Sequence, residues 1–201
     1  ISGGLTCAVE RAEALEATAL QIFTRNQVRW KSPPLEPTEA REFLRVYKTS
    51  RLKYLCAHAS YLINLASPDT RTREKSRAAL LDELSRADAL GCRCLILHPG
   101  SPKDDRKSVG LQRVADGLAY VLDQTRDGVT GLALENTAGQ GNTLGADFAV
   151  IAEIIERAGG SNRLGLCLDT CHAFAAGWDL RAPGTASQLG REIAGTVGLN
   201  R

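Results

Sequence analysis

The 201-residue chain contains no methionine, and its first residue is Ile1. Because translation starts at methionine, we expect a processed, trimmed or partial chain. The sequence also has no apolar run of 18 residues, so no transmembrane helix is predicted. The first residues lack the basic segment and apolar stretch of a signal peptide. Lysine and arginine number 25 against 23 acidic residues, which gives a net charge of +2. Charge alone therefore does not indicate a nucleic-acid ligand, although a local cluster or bound metal ions could still face phosphate.

The six cysteines include no Cys-x-x-Cys pair, and four of them lie inside apolar runs. This pattern favours buried, reduced thiols in a cytosolic protein. A disulfide framework or a thiolate zinc site is the less favoured alternative.

Short apolar runs of strand length alternate with longer amphipathic stretches. The predicted strands are 18–23, 52–57, 92–97, 131–136 and 164–169. The predicted helices are 5–16, 38–48, 70–90, 108–126 and 146–158, and the residues after 169 could begin another. This alternation predicts parallel βαβ units. The strand ends recur roughly every 35 residues, a spacing that fits a (β/α)8 barrel and also a doubly wound open sheet. No linker interrupts the sequence, so we expect residues 1–201 to form a single domain.

All three histidines of the sequence, His58, His98 and His172, lie at or just after the end of a predicted strand. Two acidic residues, Glu135 and Asp169, lie in equivalent positions. In a barrel these strand ends meet at one mouth, where active sites form. Imidazole and carboxylate together are typical ligands of zinc, with manganese and iron as competitors. A single histidine is more often a hydrogen-bonded structural residue, but three in one topological position favour a metal site.

A cluster of basic residues follows the first predicted strand and leaves two interpretations open. Arg25, Arg29 and Lys31 are interleaved with Phe23 and Trp30, a combination that could contact nucleic acid. A solvated loop is the favoured interpretation.

Four blocks of sequence carry a family resemblance. They are HASYLINLASP (58–68), LILHPGS (95–101), LALENTAGQGNTLG (132–145) and RLGLCLDTCHAFAAGWDLR (163–181). Together with ISGGL at the start and FTRNQVRW at 23–30, they resemble the endonuclease IV family of apurinic/apyrimidinic DNA-repair endonucleases. The resemblance covers essentially the whole chain.

The resemblance implies a xylose-isomerase-like (β/α)8 TIM barrel with three zinc ions at its mouth. It also implies hydrolysis of the phosphodiester on the 5′ side of an abasic site in double-stranded DNA. The products are a 3′-hydroxyl and a 5′-deoxyribose phosphate, and blocked 3′ ends are also trimmed. By this resemblance, His58 and His98 bind the first zinc, Asp169 binds the second and His172 the third. Glu135 bridges the first two and is the expected catalytic residue.

The resemblance also assigns contacts with DNA. Tyr61 and Leu62 match the pair that the family inserts at the lesion, although without the resemblance ordinary core residues after a strand would be the favoured interpretation. Asn26 lies in a second DNA-facing loop of the family. Val28 stands where many members have an arginine that enters the duplex, so the resemblance does not settle how strongly the DNA is distorted. We expect a monomeric, cytoplasmic protein that binds damaged DNA and no membrane.

The family takes its remaining ligands from strands seven and eight, in an H-x-N-D block, a D-x-H block and a late glutamate. None of these ligand blocks exists in this sequence. We therefore expect an incomplete barrel with about the second to sixth strands, in which only the first zinc site has all its protein ligands. The chain alone is then expected to be inactive, and to aggregate through exposed strand edges.

Two other functions stay open at this point. A metal-dependent sugar isomerase or epimerase of the same barrel superfamily would also place His, Glu and Asp at strand ends, but it would not need Tyr61 and Leu62. An inactive pseudo-enzyme or interrupted gene product could bind metal or DNA weakly.

Overall fold

The computed structural model describes residues 3–200. Helices and strands alternate through most of the chain, as the apolar pattern predicts. The strands are β1 (Ala19–Ile22), β2 (Tyr54–His58), β3 (Cys94–Leu97), β4 (Gly131–Glu135) and β5 (Leu164–Cys167). The helices are α1 (Leu5–Ala14), α2 (Pro37–Thr49), α3 (Thr70–Ala89), α4 (Lys107–Gln124), α5 (Phe148–Arg157), α6 (Thr170–Ala175) and α7 (Thr185–Thr196).

The five strands form one parallel sheet in the order β1-β2-β3-β4-β5. Each strand thus pairs with the next strand along the chain. A doubly wound sheet reverses its strand order part-way, whereas a (β/α)8 barrel keeps strands in sequence order. The sequential order therefore selects the barrel over the open doubly wound sheet.

The two faces of the sheet differ in what they bury. On β4, Leu132 and Leu134 belong to the main hydrophobic cluster beneath the helices. Because side chains alternate along a strand, Ala133 and Glu135 point to the opposite face, which is the interior side of the barrel. The same alternation on β3 places Leu95 against the helices. The strand-end residues of the sequence analysis therefore project toward the barrel interior.

Acidic residues start three of the helices by capping free backbone N–H groups. The Asp69 carboxylate accepts from the Thr72 N–H at 2.7 Å, and the Asp147 carboxylate accepts from the Ala149 N–H at 2.8 Å. Asp169 caps α6 in the same way. An aspartate in this position stabilises a helix by about 1 kcal/mol.

Differences from the predicted elements are small except after β5. Helix and strand ends lie within about two residues of the predicted ends, as expected where helix ends fray. A helix is expected after residue 169 and α6 begins there, but its bounds were not predicted, because its six residues carry no repeated apolar spacing. Among the cysteines, only Cys92 is fully buried and Cys171 is exposed, so the prediction of uniformly buried thiols is wrong. All six cysteines are unpaired.

None of the helices within residues 3–200 has the length and hydropathy needed to cross a membrane. The assignment of residues 1–201 to a single domain stays a prediction.

A candidate metal centre at the carboxyl ends of the strands

Three histidines surround the carboxylate of Glu135. The Nε2 atoms of His58 and His98 lie 3.0 Å and 3.1 Å from Glu135 Oε2. The Nδ1 atom of His172 lies 3.2 Å from Glu135 Oε1. His58 ends β2 and Glu135 ends β4, while His98 directly follows β3. The fold thus brings together side chains that the sequence places at separate strand ends.

Hydrogen bonds fix the orientation and charge of this cluster. The Nδ1 atom of His58 lies 2.7 Å from the carbonyl oxygen of Ala59, which orients the ring. Burial is the largest single influence and lowers the pKa of His58, but the hydrogen bonds to Glu135 and Ala59 and the charges of Glu135 and Glu83 together raise that pKa above its ordinary value. Burial is the largest single influence and raises the pKa of Glu135, but the hydrogen bonds to His58 and His98 together with the charges of these histidines outweigh it and hold that pKa far below its ordinary value. The Glu135 carboxyl is therefore ionised.

A second group shares Glu135. It consists of Glu135, Asp169 and His172, whose candidate ligand atoms all lie within 4.8 Å of one another. The Asp169 Oδ1 atom accepts from the backbone N–H of His172 at 2.8 Å, so the aspartate also starts the helix that carries the histidine. The other candidate group is His58, His98 and Glu135, again within 4.8 Å. One carboxylate therefore faces two potential metal positions.

Asn136 holds Asp169 in place and is a site residue that the sequence analysis missed. Its Oδ1 atom accepts from the Asp169 backbone N–H at 2.6 Å, and its Nδ2 atom donates to the Asp169 carbonyl at 3.1 Å. The sequence does carry a signal for this residue, because its amide side chain directly follows Glu135, the glutamate that ends β4.

The residues present fit a metal ion. The Nδ1 atom of His172 is buried and makes no hydrogen bond, despite lying 3.2 Å from Glu135 Oε1, although such atoms are normally paired. Two imidazoles with one carboxylate also match the ligand set of many zinc sites that keep an open position. A cation between these groups would satisfy the unpaired nitrogen.

Tyr61 covers one side of the histidines and is 58% exposed. Its ring lies 5.4 Å from that of His58 and 6.1 Å from that of His98, measured between centroids. It also makes an edge contact with Phe23 at 5.7 Å. Tyr61 is therefore not an ordinary core residue, whereas its neighbour Leu62 is half-buried.

A cavity of about 260 Å³ adjoins the candidate metal ligands. It is lined by His98, His172 and Tyr61 together with residues of three loops, namely Asn64, Ser101 and Thr143 among others. The loops are joined by hydrogen bonds, since Asn64 Oδ1 accepts from the Ser101 N–H at 3.1 Å and Ser101 Oγ donates to the Asn142 carbonyl at 3.1 Å. Hydrogen bonds between the loops therefore hold the wall of this cavity in place beside the candidate ligands.

The loop after β1 carries Asn26, which is exposed and whose Oδ1 atom accepts from the Val28 N–H at 3.0 Å. Val28 is 66% exposed. Arg25 is different, because its side chain is only 4% exposed and pairs with Asp82. The interpretation of this cluster as a purely solvated loop is therefore wrong for Arg25.

Comparison with known proteins agrees with this geometry. Residues 9–200 match the family described as xylose isomerase-like TIM barrel. A protein of Chlorobium luteolum named probable endonuclease 4 is 42% identical over 202 residues, which span 99% of this chain and 72% of that relative. One of Oleidesulfovibrio alaskensis with the same name is 44% identical over 200 residues, spanning 100% of this chain and 68% of that relative.

The chain belongs to the endonuclease IV family. The crystal structure of endonuclease IV from Thermus thermophilus superposes with a TM-score of 0.84 at 36% identity, covering 100% of this chain and 70% of that one. A D-tagatose 3-epimerase-like protein superposes with a TM-score of 0.76 at 20% identity, covering 98% of this chain and 70% of that one. The epimerase likeness shows the barrel fold alone, whereas the identities select the endonuclease IV family over the sugar epimerases.

Proposed function

We propose that the protein is a zinc-dependent DNA-repair endonuclease that cleaves the phosphodiester 5′ to apurinic or apyrimidinic sites. The products would be a 3′-hydroxyl and a 5′-deoxyribose phosphate, as base excision repair requires. The observation that carries this proposal is Glu135, whose carboxylate belongs to both candidate metal groups at the barrel mouth. Relatives that are 40% to 44% identical and named endonuclease 4 support the hydrolytic nuclease class.

Five side chains would hold the metal ions. His58 and His98 would bind one zinc ion, Glu135 would bridge it to a second that Asp169 also binds, and His172 would serve a third. Bound zinc supplies Lewis-acid chemistry, since it activates water near neutral pH and neutralises charge on a phosphate.

The protein's own side chains prepare this site. Glu135 gathers the imidazoles around one carboxylate, with nitrogen–oxygen distances of 3.0 to 3.2 Å. Asn136 orients Asp169 through its backbone, and outer partners of this kind typically contribute 10- to 100-fold to metal affinity or activity. Positioning before substrate arrives lowers the cost of reaching the reactive geometry.

Recognition of the lesion would rest on Tyr61, Leu62 and Asn26. An abasic nucleotide has no base to unstack, so extruding it from the duplex costs little. The exposed Tyr61 ring lies beside the histidines, where it could fill the space that an extruded nucleotide leaves in the helix. The substrates would be double-stranded DNA with abasic sites or blocked 3′ ends. We further propose a monomer that acts in the cytoplasm.

The test measures incision of an end-labelled duplex that carries one stable abasic analogue, beside the same duplex with a normal base. The natural gene product that contains this chain and the 201-residue chain are assayed in parallel, after chelation and after zinc addition. We expect zinc-dependent incision of the abasic duplex only, by the natural gene product. Failure of that product to incise would refute the proposal. The inactivity of the 201-residue chain by itself stays a prediction that the parallel assay decides.

A further inference from the structure

Arg25 is buried at the base of the loop that follows β1, with its side chain only 4% exposed. Its Nη1 atom donates to Asp82 Oδ2 on α3 at 3.0 Å. Its Nη2 atom donates to the carbonyl oxygen of Arg29 at 2.9 Å and also to that of Trp30. The guanidinium therefore closes the loop on itself and ties it to α3.

Glu83, the next residue on α3, is completely buried. Its Oε2 atom accepts a hydrogen bond from the backbone N–H of Ser60 at 3.0 Å. Its Oε1 atom lies 3.8 Å from Arg25 Nε, which is too far for a hydrogen bond but close enough for charge attraction. Asp82 and Glu83 are adjacent on α3 and thus hold two loops. Asp82 holds the loop after β1 through Arg25, and Glu83 holds the segment that contains Ser60.

Ser60 completes the connection between these two loops. Its hydroxyl donates to the carbonyl oxygen of Gln27 at 2.7 Å. The loop of residues 24–30 and the segment 60–62 are therefore joined directly, as well as through Glu83 and Arg25.

A buried carboxylate is expensive unless it is paired and fully hydrogen-bonded. Burial raises the pKa of Glu83 to about 7, even though the Ser60 N–H and the Arg25 guanidinium favour the charged form. Neither Glu83 Oε1 nor Arg25 Nε has a hydrogen-bond partner. An apolar side chain of similar size would avoid this cost but could not fix the Ser60 N–H.

Arg25, Asp82, Glu83 and Ser60 form one network of hydrogen bonds and charges. The two loops that this network holds lie beside the candidate metal centre. Ser60 stands between His58, a candidate ligand, and Tyr61, whose ring contacts Phe23 at the start of the other loop at 5.7 Å. The other loop also carries Asn26. Both segments that the proposed function assigns to DNA contact are thus attached to the same pair of charged residues.

We propose that Glu83, with Arg25, is a positioning residue that holds residues 24–30 and 60–62 as one preformed DNA-contacting surface. This inference rests on the proposed function. A surface that is ordered before binding loses less conformational freedom when DNA arrives, so its affinity is higher. Loss of the network should therefore raise the KM for abasic duplex about tenfold while kcat and metal content change less than about twofold.

The experiment compares Glu83→Gln and Glu83→Ala with Glu74→Gln, a change at an exposed carboxylate of the same helix. Ser60→Ala is a milder variant, because it removes the hydroxyl bonds to Gln27 and to the Leu62 N–H but keeps the backbone bond to Glu83. Assays are run at pH 8, where the Glu83 carboxyl is ionised. We expect KM to rise most for Glu83→Ala, less for Glu83→Gln and Ser60→Ala, and not at all for Glu74→Gln.

A spectroscopic readout follows the loop without DNA. The chain has two tryptophans, Trp30 and Trp178, so a Trp178→Phe background leaves Trp30 as the single reporter. Because Arg25 holds the Trp30 carbonyl, we expect the fluorescence anisotropy of Trp30 to fall in the Glu83 variants. Reduced thermal stability with unchanged Trp30 anisotropy, and kcat reduced as much as kcat/KM, would show a merely structural role and overturn the inference.

The two proposals fail in different ways. If the wild-type gene product does not incise abasic duplex, the proposed function is refuted, and the DNA-contacting role of this surface with it. If incision occurs but Trp30 anisotropy and KM are unchanged in folded Glu83 and Ser60 variants, only the positioning inference is overturned.

Discussion

His58 Nε2 lies 3.0 Å from Glu135 Oε2, although the two residues are 77 positions apart in the chain. The contact joins the end of β2 to the end of β4 across β3. It is possible because parallel strands in sequence order bring their carboxyl ends to the same end of the barrel. The negative charge of Glu135 thereby orders the imidazoles that are proposed to bind zinc.

Replacing Glu135 should dismantle both candidate metal positions. In Glu135→Gln the amide cannot bridge two cations as the carboxylate is proposed to do, so we expect the metal content per chain to fall. Activity of the natural gene product should drop by at least the roughly 10- to 100-fold that loss of an outer partner costs. Inductively coupled plasma spectrometry and incision assays measure these effects. Glu156→Gln, at an exposed position of α5, is the matched control. Full metal content in Glu135→Gln would contradict the assignment.

The stabilisation that zinc provides should increase with pH. In the metal-free protein, the raised pKa of His58 means that its pairing with Glu135 is fully stabilising below the ordinary pKa of 6.5 and is lost as pH rises through the raised value. Zinc binds neutral imidazole and so competes with this proton. We expect the zinc-induced rise in Tm to be larger at pH 8 than at pH 6.

Calorimetry or differential scanning fluorimetry of chelator-treated protein, with and without zinc, measures this difference. Magnesium, which prefers oxygen ligands, serves as the control and should have little effect at either pH. An equal zinc effect at both pH values would argue against histidine ligation.

Removing the Tyr61 ring should reduce discrimination between damaged and intact DNA without releasing metal. Aromatic contacts of the kind that Tyr61 makes with Phe23 and His58 contribute about 0.5–1.5 kcal/mol each. For Tyr61→Ala we therefore expect kcat/KM on abasic duplex to fall about tenfold or more. Tyr61→Phe keeps the ring and should retain most activity. The proposed lesion contact is wrong if Tyr61→Ala incises abasic duplex as wild type does.

Gly100 is required by the close approach of Asn64. Its φ is +93°, and a Cβ atom there would lie 2.4 Å from Asn64 Oδ1. Gly159 has nearly the same φ, +94°, but a Cβ atom would meet nothing within 4 Å. Both alanine variants therefore carry the backbone cost of about 1–3 kcal/mol, and only Gly100→Ala also displaces Asn64. Denaturant unfolding should show the larger loss for Gly100→Ala, and equal losses would mean that the contact is unimportant.

The buried Glu83 carboxyl should make stability fall as pH rises. Its pKa is raised from 4.5 to about 7, so between these pH values the folded protein keeps a proton that the unfolded chain releases. The stabilisation is complete below pH 4.5 and is lost as pH approaches 7, a change of roughly 3 kcal/mol. Unfolding of metal-free wild type and Glu83→Gln at pH 5 and pH 8 measures it. We expect the stability of wild type relative to Glu83→Gln to be lower at pH 8, and an unchanged difference would contradict the buried proton.

The strands and candidate ligands could be predicted from sequence because their signals are local. Each ligand follows a short apolar run, and the runs recur at a near-constant spacing. The role of Arg25 could not be predicted, because its partner Asp82 is 57 residues away and a basic residue in a polar loop looks solvated. The bounds of helix α6 could not be predicted, because Asp169 starts it through a single cap and its six residues are too few to show a helical pattern. Long-range ion pairs and very short helices thus lie beyond what residue spacing conveys.

The strand register also restricts where the chain can change in length. Glu135 faces the barrel interior only because Leu134 faces the helices, and Leu134 is in turn paired with Leu97 and Leu166. One residue inserted within β4 would shift this pairing and turn the glutamate to the opposite face. An insertion at 159–162, in the loop before β5 at the amino-terminal ends of the strands, would leave every candidate ligand where it is. Insertions and deletions should therefore accumulate in the loops at the amino-terminal ends of the strands, while the strands themselves keep a constant length.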